Sequence, residues 1–267
     1  MASAKDIVIK PINSRTANAL VKRVHYSGKV VQNSQLHFGV FLNGKLEGVM
    51  QLGNCIDKRK MLGLVDGSGW NEFIELNRMA FTDTLPRFSE SRAIGVVMRL
   101  IKKTYPHIKW VISFSDGTQC GDGSIYRASG FVLTAIKKNN QLMRLSDGTV
   151  AHKLTFENTR PTAKQKELRN KHSMPQSSVS SLMKADGASE LQGFQLRYIY
   201  FIDKSYKDRL TVPILPFSKI DEMGAGMYKG ERLTMAERKD NMQDRKRVTK
   251  ANSSDQLESG GAIPTNT

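Results

Sequence analysis

Residues 74–101, "IELNRMAFTDTLPRFSESRAIGVVMRLI", decide the fold. With the preceding "NEF" they begin as a strand, because apolar residues dominate on both alternating faces. From Ile94 the spacing changes. Ile94, Val97, Met98 and Ile101 form one stripe at helical spacing, while Arg99, Lys102 and Lys103 lie elsewhere, and Tyr105-Pro106 ends the helix. At the junction stand Arg87, Ser89, Glu90 and Ser91. A helix start presents unpaired backbone N–H groups and a partial positive charge, so this entrance suits an anion although the glycines of a phosphate loop are missing. The competing reading is plain N-capping by Ser89 or Ser91, with Glu90 favoured by the helix dipole and Arg87 in solvent.

Working outward, "KWVISFSD" is a short buried strand. "GDGSIYRASGF" is a short helix with Asp122 or Ser124 as N-cap and Gly130 as C-cap. Upstream, Ala17, Leu20, Val21 and Val24 mark a helix that breaks at Ser27-Gly28. "LHFGVFLNGKLEGVMQLG" follows as a hairpin about Asn43-Gly44. "DKRKMLGLVDGSG" reads as a basic, glycine-rich loop. Downstream, "FVLTAI" is a strand and "NQLMRLSDGTVAHKLTF" a further pair. "TAKQKELRNKH" is a solvated basic helix, "PQSSVSSLMKADGAS" a linker or small helical insertion, "FQLRYIYFIDK" a last strand and "VPILPF" an extended coda.

This alternation predicts an α/β (α+β) fold, a mixed central sheet flanked by helices. The expected division is a core over residues 1–157, a polar basic insertion over 158–190, and a strand and extended segment completing the core over 191–228. A disordered tail over 229–267 follows.

The chain of 267 residues carries 41 Lys+Arg against 25 Asp+Glu, a formal charge of +16. That balance points to a polyanionic partner, a nucleic acid or an acidic membrane face, the alternative being a merely soluble basic protein. No apolar run approaches the roughly 20 residues of a membrane span, and the N-terminus lacks a signal-peptide core. Nucleic acid is therefore favoured over a membrane, and the cytoplasm is the expected compartment. Cys55 and Cys120 alone give neither a disulfide framework nor a cysteine zinc site, and no metal ligands are assigned.

"FGVFLNGKLEGVM", the strand-loop-helix above, and "SIYRASGF" after "WVISFSD" together resemble the acyl-CoA-binding core of the GNAT N-acetyltransferases. More narrowly, "VHYSGK", "ELNRMAF", "RFSESRAIG", "FSDGT" and "RYIYFIDKSYKDRLTVPILPF" in that order resemble the Mom DNA-modification proteins of Mu-like bacteriophages. The resemblance implies transfer of a carbamoylmethyl (acetamido) group to N6 of adenine in phage DNA, which protects it from host restriction. It further implies double-stranded DNA with a flipped adenine as partner, a homodimer as one allowed assembly, and acetyl-CoA or a related acyl carrier as donor. Plain acetyl-CoA cannot supply the amide nitrogen of an acetamido group. The rivals are an N-acetyltransferase acting on a small-molecule or protein amine, and a non-catalytic DNA-binding protein.

Within this reading Arg87, Ser89 and Ser91 hold the donor's anionic part. Arg78 should line the cleft, since it shares a strand with apolar Ile74, Leu76 and Ala80 and a lone buried charge is costly. An ion pair with Glu75 or Asp83 is the alternative. His25 and Tyr26 match a pair that the resemblance associates with iron, although one His and one Tyr are too few ligands alone. The tyrosine ring would instead stack on an extruded base, and the commoner alternative for His25 is a satisfied core or helix-end histidine. Asp116 ends a strand where α/β sheets bind ligands and would accept the N6 proton, or else form an Asx-turn with Gly117. Ser124 and Tyr126 sit on the short helix, where the resemblance makes the tyrosine the acid for a thiolate leaving group. Its alternative is packing under the sheet. Lys58-Arg59-Lys60, Lys137-Lys138 and "KQKELRNK" are candidate phosphate contacts.

Overall fold

The structure, a computed structural model, describes residues 2–118, 121–157, 161–176, 178–228, 231–234 and 236–237. Strand β1 (Val8–Pro11) and helix α1 (Ser14–Val24) lead into the hairpin β2 (Ser34–Leu42) and β3 (Lys45–Gly53). Both Asn43 and Gly44 at its tip take positive φ, as a two-residue turn matched to strand twist requires. Then come α2 (Lys58–Leu62), β4 (Phe73–Phe81), α3 (Ser89–Thr104), β5 (Trp110–Asp116), α4 (Ser124–Ala128), β6 (Val132–Arg144) and β7 (Val150–His152). Helices α5 (Leu154–Glu157), α6 (Ala163–Lys171) and α7 (Val179–Asp186) precede β8 (Ser189–Phe201) and α8 (Ser218–Glu222).

Eight strands form one mixed sheet in the order β1-β2-β3-β4-β5-β8-β6-β7. Among the described residues only the β4–β5 pair is parallel, as expected for strands joined through the crossover helix α3. That pairing runs from Phe73–Trp110 to Leu76–Ser113 and stops. Beyond it β4 stays with β3 as far as Phe81, and β5 stays with β8 as far as Asp116. The sheet therefore parts between its two central strands.

One face carries α3. Its buried stripe of Ile94, Val97, Met98 and Ile101 packs with Ile74, Leu76, Val111 and Tyr198, the residues that spacing alone selected. On the other face α1 sets Ala17, Leu20 and Val21 against Val49 and Ala80. Beside it Cys55, Leu64, Val65 and Tyr206 cover Phe73, Trp110, Ile112 and Ile199. A separate cluster of Met143, Leu145, Phe156, Leu168, Leu182 and Met183 seats α6 and α7 on the end of β6.

Local chemistry departs from the sequence expectation in four places. Residues 58–62 are helical rather than a loop, because the Asp57 side chain accepts from the Lys60 N–H and caps them. "FVLTAI" and "NQLMR" are one strand, its bulge between Asn139 and Leu142 absorbing the polar interruption. The cap of α4 is Gly123 in the left-handed conformation, while Asp122 accepts from the Ser124 N–H, and Ser129 rather than Gly130 closes the helix. Gly130 follows with φ 83. The cap of α3 is Phe88, neither Ser89 nor Ser91. After Met227–Tyr228, which pairs with Glu231–Arg232, the expected tail falls largely outside the described residues.

Candidate functional site

The point where β4 and β5 part is marked by a serine. Ser113 Oγ donates to the Leu76 carbonyl at 2.8 Å and lies 3.0 Å from the Tyr126 hydroxyl. It thus ties the last paired residue of β4 to α4. The Tyr126 ring stacks on Tyr198 at 5.1 Å and meets Phe131 edge-on at 5.3 Å, so the phenol is held at the fork. Helix α4 is fixed in turn by Tyr198, whose hydroxyl donates to the Asp122 carbonyl, and by the 2.8 Å Arg127–Asp122 ion pair. Ser124, at the start of α4 ahead of Tyr126, directs its backbone N–H to Asp122 Oδ1.

A bulge redirects Arg78. The β3–β4 register slips between Gln51–Arg78 and Leu52–Leu76, leaving Asn77 as the extra residue. A bulged residue flips the alternation that follows it. Arg78 therefore shares the α1 face with Ala80 rather than the α3 face with Ile74 and Leu76, correcting the single stripe assumed from spacing. Its described partners are carbonyls and not the anticipated carboxylates: Lys29 O from Nε at 3.1 Å and Asn77 O from Nη1 at 2.7 Å. Burial weakens its hold on the proton, while Tyr26 and Glu75 strengthen it. Glu75 is itself raised by burial, against the Cys55 thiol and Arg78, which lower it.

His25 is the C-cap of α1. Its Nδ1 accepts from the Ser27 N–H at 3.2 Å and lies 2.8 Å from Ser27 Oγ. Burial, then the charge on Arg78, lower its pKa to about 4. The ring is therefore neutral at pH 7 with its proton on Nε2, a donor on that side and not a base. Tyr26, 57% exposed, lies with its ring 4.3 Å from that of His25. The loop beyond crosses toward the insertion, Lys29 Nζ donating to Thr155 Oγ1 at 3.2 Å.

Asp116 ends β5 in alternation with Ile112 and Phe114, so it stands on the face of Arg78 across the parted strands. Its Oδ1 accepts from the Thr118 N–H at 3.1 Å, the Asx-turn weighed from sequence. Its charge also reaches His152 on β7, whose pKa is lowered by burial and Lys29 and raised by Asp116.

At the α3 entrance no side chain caps Phe88, which takes φ 70. Ser91 Oγ donates to the Phe88 carbonyl at 3.1 Å, and the Arg87 guanidinium lies over the Phe88 ring at 4.6 Å. Ser89 Oγ is fully buried with no partner among the described residues. Uncapped amides, an orphan hydroxyl and a nearby guanidinium fit the anionic part of a carrier. Iron does not fit. Among the described residues no group of three or more His, Cys, Asp or Glu stands together, and His25 with Tyr26 falls short of a ligand set.

The expected residues thus fall into two groups joined by the gap between β4 and β5. Tyr126, Ser124 and the α3 entrance lie on one side; His25, Tyr26, Arg78 and Asp116 lie on the other. Ser113 and Asn77 went unread in the sequence. Serines at alternate positions 113 and 115 of an otherwise apolar strand were a usable signal; a bulge leaves none.

The Mom protein family model matches residues 6–219 of this chain. The "Methylcarbamoylase mom" of Escherichia phage Mu is 35% identical over 154 residues, 57% of this chain and 63% of the relative, so the match spans just under two thirds of that protein. Among solved structures, a Bacillus subtilis acetyltransferase in complex with CoA is 10% identical, covering 73% of this chain and 97% of the other at a TM-score of 0.41. A GNAT family acetyltransferase from Elizabethkingia anophelis with acetyl-CoA bound is 13% identical, covering 73% and 98% at a TM-score of 0.38.

Proposed function

The chain belongs to the Mom protein family, and from that premise we propose that it is a phage DNA-modifying transferase that places a carbamoylmethyl group on adenine N6 and so shields the DNA from host restriction. The observation that carries this reading is the parting of β4 and β5 beyond Leu76–Ser113, with Arg78 and Asp116 on one face of the separated strands and Tyr126 at the fork. A cleft of that form admits a carrier from the α3 side and a base from the α1 side.

A carrier, when bound, would supply the carbamoylmethyl group whole, its amide nitrogen included, through an electrophilic methylene carbon, because attack on an acyl carbon would leave an amide on N6 instead. The chain's own groups do the rest. First-turn amides of α3, with Arg87, Ser89 and Ser91, hold the carrier's anionic part. Arg78 fixes a carbonyl or other anionic group near the reacting carbon. Adenine N6 is a weak nucleophile because its lone pair is delocalised into the ring. The Asp116 carboxylate hydrogen-bonds the amino group and takes the proton released as the N6–carbon bond forms. Tyr126 would give its proton to the departing carrier, its hydroxyl being the acid group at the fork. The neutral His25 donates from Nε2 to an acceptor on the base, and Tyr26 stacks on it. Because N6 is paired within a duplex, the adenine must be extruded.

Mass spectrometry of nucleosides from cells expressing the protein tests the reading. Modified deoxyadenosine is expected with the wild type and its loss with Asp116→Asn. Unmodified deoxyadenosine despite confirmed wild-type expression overturns it.

A further inference from the structure

Ile56 is 96% exposed, the most open of the large apolar side chains among the described residues. An isolated apolar side chain on a surface needs no explanation, but this one stands in a built setting. Its neighbours are fixed on both sides: Cys55 is buried against Glu75, and Asp57 caps α2. The loop is also locked to the loop bearing Tyr26 and Lys29. Asn54 N–H donates to the Asn33 carbonyl at 3.2 Å, and Asn33 Nδ2 donates back to the Asn54 carbonyl. The two backbones touch so closely that a Cβ at Gly53 would collide with the Asn33 carbonyl oxygen. Through Lys29, whose carbonyl accepts from Arg78, this rim continues into the cleft.

Charge surrounds the tip. Lys58, Arg59 and Lys60 form α2 directly behind it. Lys58 is held by Asn54 Oδ1 at 2.7 Å and lies over the ring of Trp70, which is 51% exposed. A rigid β-branched side chain projecting from a cationic rim that is tied through Asn33 and Lys29 to Arg78 matches the apolar wedges that enter a base stack.

We propose that Ile56 is the wedge of this protein: with the α2 cations on the phosphates, it enters duplex DNA and fills the place left by the extruded adenine. The inference rests on the DNA reading above and adds how the duplex is opened. Ile56 is a positioning residue, acting on the stack and not on the reacting atoms.

The test uses the full chain and a duplex of about 20 base pairs carrying 2-aminopurine, which brightens on leaving the stack. Wild-type protein should raise its fluorescence several-fold, Ile56→Ala should lose most of that rise, and Ile56→Leu should keep it. Binding of Ile56→Ala, followed by anisotropy at equal salt, should change by less than about three-fold, since phosphate contacts dominate affinity. Placing 2-aminopurine opposite an abasic site should restore the signal to Ile56→Ala. An equal rise with Ile56→Ala and wild type, or no rise with wild type, overturns the wedge. Nucleoside mass spectrometry separates this from the underlying reading. If wild type modifies adenine in cells and Ile56→Ala does so equally, only the wedge fails; if wild type leaves adenine unmodified, the DNA reading itself fails.

Discussion

His25 closes the first helix where protonation is costly. Its ordinary pKa of 6.5 drops to about 4, first through burial and then through Arg78. Between those values the unfolded chain binds a proton that the folded chain refuses. Stability is therefore full above about pH 6.5 and declines as pH falls toward 4, by on the order of 2 kcal/mol once its partly open side is allowed for. Urea denaturation at pH 7 and pH 4.5 should show that slope in wild type and a flatter one in His25→Gln; equal slopes would count against it. Two further substitutions separate chemistry from folding. Asp116→Asn keeps an oxygen for the Thr118 N–H, so the fold should survive while modified adenine falls about 100-fold or more. Tyr126→Phe keeps its ring stacked on Tyr198 and edge-on to Phe131. It should lower modification about 10- to 100-fold, and stability by about 1 kcal/mol because no hydroxyl then meets Ser113 Oγ. A fall in melting temperature matching the loss of activity would instead assign either residue to structure.

Elements divide by how local their causes are. The hairpin at Asn43-Gly44 and the stripe of α3 were legible because a turn's φ requirement and a helix's period are properties of neighbouring residues. The insertion was read as solvated and polar, yet α6 and α7 hold a core of their own against Met143 and Leu145, which lie on or just beyond a distant strand. Asp186 ties it down. It is buried and accepts from the Ser146 N–H and Oγ, from His172 Nε2 at 2.9 Å and from Lys171 Nζ at 3.1 Å. Burial alone would raise its pKa; the Ser146 N–H, His172, the Ser146 hydroxyl and Lys171 together hold it below the usual carboxylate range. Asp186→Asn should loosen this unit by about 3 kcal/mol. Amide exchange should quicken in α6 and α7 while α1 and α3 stay protected; uniform acceleration would show that the insertion and core unfold as one.

At the scale of the whole molecule, a charge of +16 would make affinity for DNA, the proposed partner, a salt-dependent quantity. Anisotropy titrations from about 50 to 200 mM salt should show a loss of at least about 100-fold, as expected when several phosphates are neutralised. Constant affinity across that range would remove DNA as the partner of this charge. What the sequence determined by itself is what composition and short-range periodicity encode: a basic chain, an α/β alternation, the strand-to-helix junction at 74–101 and the residue types suited to the chemistry. Which of those residues meet was decided only in three dimensions. The bulge at Asn77 turned Arg78 to the α1 face, the end of pairing at Leu76–Ser113 parted the central strands, and the Asn33–Asn54 hydrogen bonds joined the Ile56 loop to the one bearing Tyr26 and Lys29. Each depends on partners far apart in the chain, whose positions are fixed by strand register and not by the character of neighbouring residues.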